Sequence, residues 1–571
     1  MAMEFPTLKQ GSTSRELLTA FPGYSGCPRP AAGAFAAMEN CSGEDYPLLA
    51  TRRPRGVYAR PVSCTGLTAK DGLCWVDGGD FVVNGYPVSL GLTPGEKQLV
   101  SMGAYVVIFP DKKYINTADL TDFGSLEAEC TAPGPVRFTP VLADGTPLIP
   151  AYTQPEEPKE PENGALWLDN SAAMTLLQWS AGSGMWVSVD TTLVKITAPG
   201  LGRAFRPGDG VQLSGGPEGV CTQGVIAQCG EDFVTLPGLL AAEQTQTAPV
   251  TLGRYLPNMD FVIHCGNRLW GCRYGISRTG AVVNEIYASK LGDFRNWSCF
   301  QGVSTDSYAM SLGTDGPFTG AVEFLGCPLF FREGCIHKIY GTTPASFRLQ
   351  TTQCPGVQLG SSRSLARIGQ TLYYKSPEGV QAYDGAAPVE VSQSLGKTQY
   401  TQAAAGAMGS RYYISMQEAG GGYHLFVYDA PRGLWHREDS SEIHCFCPCR
   451  GDLFYVNQAG EIISVSGQGE QEGPFHWYLE TGPLGGLSPD CKQLSRLSLK
   501  VELGGRMALY IRYDQETAWL PLARVQATEL KTLTLPVAVR RCDHLRLRLE
   551  GTGTMRLHAL AKTMEWGSDV L

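Results

Sequence analysis

The chain has 571 residues, 43% of them hydrophobic and 18% charged, with 68 glycines, 37 prolines and a formal net charge of -9. That is too apolar for a disordered chain, and the charge gives no sign of a protein that coats nucleic acid. No run approaches the ~18 to 20 apolar residues needed to cross a bilayer, and residues 1–18 lack the apolar segment of a secretory signal. The expectation is a soluble protein, made in a cytoplasm and without a membrane partner.

Residues 1–56 show no strand pattern beyond one short helix expected around Ser14 to Ala20. Glycine, proline and arginine punctuate the rest. A stretch this long without pattern is uncommon inside a compact domain, so it is expected to be an extended N-terminal arm lying on a neighbouring domain or subunit. Within it Arg52, Arg53, Arg55 and Arg60 cluster around Pro54. They are candidates for inter-subunit or partner contact; the plainer reading is a solvated, salt-bridged arm.

From Gly56 strands take over. Leu73-Cys74-Trp75-Val76, a turn at Asp77 to Asp80, and Phe81-Val82-Val83 read as a hairpin. So do Tyr105 to Phe109, a Pro110-Asp111 turn and Lys113 to Asn116. Residues 57–124 are therefore expected to be the first blades of a repeat fold. Residues 125–256 break the pattern. The Pro- and Glu-rich run from Gln154 to Glu162 suits a solvated, extended loop, and short strands such as Val211-Gln212-Leu213 and Phe233 to Leu236 suggest a small inserted β-domain.

Over 257–473 the hairpin unit returns. Aromatic strand onsets stand at Leu269, Leu329, Leu372, Tyr412 and Leu453, the last four roughly 40 to 45 residues apart, which is the period of propeller blades. A small sheet cannot bury both its faces alone, and stacking blades around an axis buries them against each other. The last part, 474–571, alternates strictly, as in Leu497, Leu499, Val501 and Leu503, and predicts an antiparallel β-sandwich. The fold class expected is all-β: a β-propeller of about five to seven blades with an inserted small β-domain and a C-terminal sandwich.

Chemistry is sparse. There is no nucleophile elbow, H-E-x-x-H, Walker loop or dinucleotide fingerprint, and no sialidase-type S-x-D-x-G-x-T-W box. His544 is expected to be a solvent-facing strand residue and His436 part of a blade-edge turn. The eighteen cysteines are expected to be reduced and mostly buried. Cys445, Cys447 and Cys449 share one strand face beside His444, but zinc sites favour hairpin spacings such as C-x2-C, so a buried face without zinc is expected. No catalytic residue, cofactor or metal ligand is assigned.

The segment Gly266-Asn267-Arg268-Leu269-Trp270 resembles the nozzle and tail-stabilisation proteins of short-tailed bacteriophages. Those proteins carry an N-R-L-type strand and then a strand ending in Ser before a G-D-F stretch. Here that is Ser289-Lys290-Leu291-Gly292-Asp293-Phe294, followed by Trp297 and Thr305-Asp306-Ser307. Leu329 to Gly334, His337 to Gly341, and Gly379-Val380 with Tyr383-Asp384-Gly385 continue the likeness, and Glu44 to Leu49 ahead of Arg52-Arg53-Pro54 is similar to the family's opening. The chain is also similar to structural proteins encoded in prophages of gut Firmicutes. The match covers roughly 258–390.

The resemblance implies a non-enzymatic virion tail protein, a ring-forming nozzle or head-to-tail connector. It implies a cyclic homo-oligomer, sixfold in that family, contacting a portal-side adaptor and other tail proteins, with DNA passing through the lumen without sequence-specific binding. Two rivals are a glycan-binding or glycan-cleaving propeller for host-surface recognition, and an intracellular scaffold propeller.

Overall fold

A computed structural model describes residues 12–171, 174–277, 280–485, 492–538 and 540–566. Among them helix is confined to three single 3-10 turns, at Pro344–Ser346, Ser362–Ser364 and Gln393–Leu395. The recurrent element is a small up-and-down antiparallel sheet. A representative one runs Cys64–Ala69, Leu73–Asp77, Asp80–Val83, Tyr86–Ser89 in chain order. Leu73, Cys74, Trp75 and Val76 are all buried, so the strand is apolar on both faces and does not alternate. A central blade strand has a neighbouring sheet on each side, whereas the outer strand Tyr86–Ser89 lies largely in solvent. Asn84 and Gly85 join the last two strands with φ of 49° and 86°, the left-handed pair that a two-residue hairpin loop requires.

The chain divides into two compact units, one formed by 1–96, 330–336 and 351–571 and the other by 97–329 and 337–350. The division cuts across the boundaries read from sequence because packing between sheets, not order along the chain, decides it. In the first unit, sheets over 366–390, 400–439, 443–471 and 64–89 stack in sequence. Tyr373 and Val380 pack with Tyr412 and Trp435. Tyr413 and Val427 pack with Leu453 and Tyr455, and Phe454 and Cys447 with Leu73 and Trp75. Gly56–Ala59 pairs with Ile462–Ser464, so the 443–471 sheet takes a strand from ahead of the 64–89 sheet. In the second unit, sheets over 98–125 and 261–311 share a core of Val107, Phe109, Leu126, Leu269, Phe294 and Trp297. Four further strands, at Gly320–Phe324, Cys327–Arg332, Cys335–Tyr340 and Arg348–Gln353, follow one another in the stretch of chain that the division cuts through. These stacked meanders are the blades of a β-propeller.

The inserted β-domain belongs to the second unit. Two sheets, one built on Ala128–Ala132, Val250–Arg254 and Gly210–Ser214 and one on Leu193–Thr197 and Val136–Val141, close on a core that includes Phe138, Ile196, Leu213 and Leu252. A third small sheet, over 152–188, packs Leu168 and Leu176 against Leu148.

The C-terminal sandwich is built on two 22-residue strands, Lys492–Tyr513 and Leu545–Trp566, paired along their length. At mid-length glycines meet: a Cβ on Gly505 would stand 2.2 Å from the Thr552 carbonyl oxygen. Beyond that point the flanking partners change, from Leu530–Pro536 and Ser12–Leu18 to Leu520–Ala527 and His476–Thr481. Inward side chains from both halves, such as Leu499 and Leu509, enter one core.

Residues 12–51, expected as an extended, strandless arm lying on a neighbouring domain or subunit, run as short paired strands along the sandwich. In place of the short helix expected around Ser14 to Ala20, Ser12–Leu18 is a strand paired with the end of Leu545–Trp566. Phe35–Glu39 pairs with His476–Thr481, and Leu49–Thr51 with residues 556–557. Phe21, Phe35, Met38, Cys41 and Leu49 are buried in the sandwich core. The same segment hydrogen-bonds to the 400–439 sheet, Tyr24 N–H to the Trp435 carbonyl at 2.7 Å. The strands escape pattern reading because they are two to seven residues long and separated by turns.

Candidate functional site

The four arginines singled out in the sequence do not act together. Arg55 is buried. Its guanidinium donates to Asp439 and Glu438, each at 2.5 Å, and to the Tyr455 hydroxyl at 3.0 Å. Arg52 is 7% exposed, pairs with Glu472, donates to Asn40 Oδ1 at 2.7 Å and lies 4.1 Å from the Phe475 ring centroid. Both are enclosed within this chain, where a desolvated guanidinium is stable only with its carboxylates in place. Arg53, paired with Glu44 at 2.7 Å, and Arg60, paired with Glu461 and Glu470 at 3.1 and 2.9 Å, keep exposed side chains.

The residues that carry the phage resemblance do converge. Arg268 is 1% exposed and donates to four main-chain carbonyls: Ser289 at 2.7 Å, Asp306 at 2.5 Å, Ser304 at 3.0 Å and Thr305 at 3.5 Å. Burial lowers its pKa, and Asp306 pushes the other way. The Asp306 carboxylate accepts the N–H groups of Gln301, Gly302 and Val303 at 2.5, 2.6 and 3.1 Å. Ser289 Oγ accepts the Leu269 N–H, and the Asn267 carbonyl accepts the Gly292 N–H. Asn296 then ties Asp293, at 2.6 Å, to Asp209 of the insertion, at 3.0 Å. Each polar type is there because a loop carbonyl or N–H needs a partner once it is buried. A cleft of about 430 Å³ beside this corner is lined by Gly302, Ser304, Asp306, Tyr308 and Thr343, among others.

A cleft of about 330 Å³ in the first unit is lined by Glu96, Arg363, Gln402, Tyr423, Glu442 and His444. Glu96 has an 80% exposed side chain, 3.5 Å from Arg363. Glycoside cleavage needs one carboxyl kept protonated by burial. Two carboxyls in the first unit, Asp439 and Glu472, have a pKa displaced downward. At Asp439, burial raises it but the Arg55 guanidinium and the Ser441 N–H outweigh that. At Glu472, burial is likewise outweighed by hydrogen bonds from Arg52 and the Arg55 N–H.

His436, expected in an edge turn, is 3% exposed on Leu434–Asp439. Burial, and then Arg411, lower its pKa to about 4, against Asp429. His544, expected to face solvent, keeps only 16% of its side chain exposed and stands 3.0 Å from Asp543. With Asp514 these form, among the described residues, a group of three metal-ligand types within 4.8 Å. Asp514 Oδ1 already accepts the N–H groups of Asp543 and His544, at 2.8 and 3.0 Å, which is a turn cap. The described cysteines are free thiols. Cys445, Cys447 and Cys449 face the 64–89 sheet in an apolar interface that also takes Cys64.

One feature has no periodic signal in the sequence. Tyr152, Trp167, Trp179 and Trp186 come one from each strand of the 152–188 sheet, on the face opposite Leu168 and Leu176. Trp186 sits 5.3 Å from Trp167, 5.4 Å from Trp179 and 6.4 Å from Tyr152, all edge to face. Pro158 of the Pro- and Glu-rich run is buried and Gln154 accepts the Trp167 indole N–H at 2.8 Å, while Glu156, Glu157 and Glu160 stay in solvent.

No protein-family model matches the chain, and no curated protein matches it in sequence. Solved structures give faint likenesses. An exo-β-1,3-galactanase from Phanerochaete chrysosporium is 10% identical with a TM-score of 0.19, covering 53% of this chain and 94% of its own. PorZ, a surface component of the type IX secretion system of Porphyromonas gingivalis, is 10% identical with a TM-score of 0.25, over 83% and 70%. An arabinoxylan arabinofuranohydrolase from Bacillus subtilis is 7% identical with a TM-score of 0.14, over 52% and 94%. At such values the likeness carries no argument about activity. No helix among the described residues is long and apolar enough to cross a membrane.

Proposed function

We propose that this protein is a non-enzymatic structural component of a bacteriophage tail, a ring-forming nozzle or head-to-tail connector through which DNA passes. The observation that supports this best is where the resemblance residues go. Arg268, Ser289, Asp293 and Asp306 are consumed in binding loop backbone, and a corner so pinned transmits load rather than reacting. The ring, its sixfold order and the portal-side adaptor as neighbour follow from the resemblance. With Arg52 and Arg55 spent inside the fold, Arg53 and Arg60 remain as charged contact residues. The test is the native mass of the purified chain together with immunolabelling of intact particles. A cyclic oligomer and label at the tail are expected; a monomer absent from purified particles overturns the reading.

The aromatic row favours a second reading, glycan binding at a host surface. Sugar rings present C–H faces that stack on indole, and a row spaced across four strands suits a chain of them. Affinity electrophoresis in host cell-wall polysaccharide would show retardation that Trp179→Ala abolishes; equal mobility of both proteins excludes it.

A further inference from the structure

We propose that the second unit holds a binding site for a phosphate-class oxyanion, in a cleft of about 310 Å³ where Arg203, Arg206, Arg254 and Arg295 converge beside Tyr114 and Glu127. Four guanidinium groups in so small a space repel one another unless anions offset them, and three have fixed partners. Arg254 is 5% exposed, held by Asp209 at 2.5 Å and by the Leu126 carbonyl at 3.0 Å. Those bonds use Nη1 and Nε, and among the described residues Nη2 takes no partner. Arg295 is set by Asp293 at 3.4 Å, and Arg203 by Glu231 at 2.5 Å. Glu127 is itself neutralised by Lys112, at 2.7 Å, and accepts the Leu256 N–H at 3.0 Å.

Arg206 is the exception. Its backbone N–H is bound by Asp209, but its side chain is exposed and forms no ion pair among the described residues. The lining therefore carries one uncompensated positive charge and several guanidinium N–H groups pre-oriented by their carboxylates. Planar, forked donors of this kind match a tetrahedral oxyanion and bind it bidentately. Among the described residues the free donors are therefore Arg254 Nη2, on a buried residue, and the guanidinium of the exposed Arg206. A free phosphate or a phosphate of a nucleic-acid backbone presents the same oxygens. The inference does not depend on the tail assignment.

The test is calorimetric titration of the full chain with inorganic phosphate and, separately, with a short single-stranded oligonucleotide. Saturable phosphate binding is expected, weakened about tenfold or more by Arg206→Ala and unchanged by Arg432→Ala, an exposed arginine elsewhere. Oligonucleotide binding that is tighter than phosphate and falls steeply with salt assigns the site to a polymer backbone; equal or weaker binding assigns it to free phosphate. Absence of saturation in the millimolar range, or identical binding by Arg206→Ala, overturns the proposal.

Discussion

Two stretches of this chain lack hydrophobic periodicity, residues 12–55 and residues 154–162, and the fold treats them in opposite ways. The first is threaded between the sandwich and the 400–439 sheet, with Phe21, Phe35, Met38 and Cys41 buried. The second is pinned at Gln154 and Pro158 and otherwise lies in water. Periodicity reports burial along one regular face. It is silent about a segment buried point by point through isolated anchors, including charged ones. What separates the two stretches is the company of the charges: Arg52 and Arg55 have carboxylates waiting far away in sequence, at Glu472, Glu438 and Asp439, whereas the glutamates after Gln154 form no ion pair with a basic side chain among the described residues.

The sharpest way to break the contrast is at Arg55. Arg55→Ala leaves Glu438 and Asp439 buried without a counter-charge and is expected to cost about 3 to 5 kcal/mol in denaturant unfolding. Arg53→Ala, two residues away but 75% exposed at the side chain, is expected to move the melting midpoint by less than about 2 °C. Equal losses would mean that the first stretch is held by something other than its buried pairs.

A pH experiment probes the same docking more gently. His436 packs against Gly23 and Gly43, where added Cβ atoms would come within 2.7 and 2.3 Å of its ring. Its folded-state pKa of about 4 lies below the ordinary histidine value near 6.5. Between those values the unfolded chain takes up a proton that the folded chain refuses. Stability therefore falls as pH drops through that window, by roughly 3 kcal/mol from this group, and is unaffected by it above. Unfolding midpoints at pH 7 and 4.5 should differ less for His436→Gln than for the unsubstituted protein; identical differences would assign the acid sensitivity to other groups.

The smallest effect belongs to the second stretch. Pro158→Ser, at its buried anchor, is expected to cost about 1 kcal/mol, and Glu157→Ser nothing measurable by the same denaturant titration. A larger loss at Glu157 would mean that the loop is held along its length.

Much of the propeller was legible because central blade strands are apolar on both faces and recur with their turns. Leu73 to Val76 and Tyr412 to Met416 announce themselves without any partner being known. The sandwich strands were legible through alternation, as at Leu497 to Leu503. Where the motif residues meet was not legible: Arg268 and Asp306 are thirty-eight positions apart and joined through a main-chain carbonyl, which leaves no mark on residue identity. The arginine cleft and the aromatic row were missed for a related reason, since each takes its members from strands and loops that pair only in three dimensions. Arg52 and Arg55 were misplaced because charge was read as exposure, which fails when the compensating acid is distant in sequence.

The pairing of Ser12–Leu18 with residues 560–566 joins positions about 550 residues apart. On a ribosome adding ~5 to 20 residues each second, the early strand waits on the order of a minute for its partner to emerge. Throughout that interval it is an unpaired edge, exposed to other nascent chains and to chaperones alike. Gly56–Ala59 waits in the same way for Ile462–Ser464. Completion of the sandwich is therefore timed by the synthesis of Leu545–Trp566, the partner that Ser12–Leu18 requires.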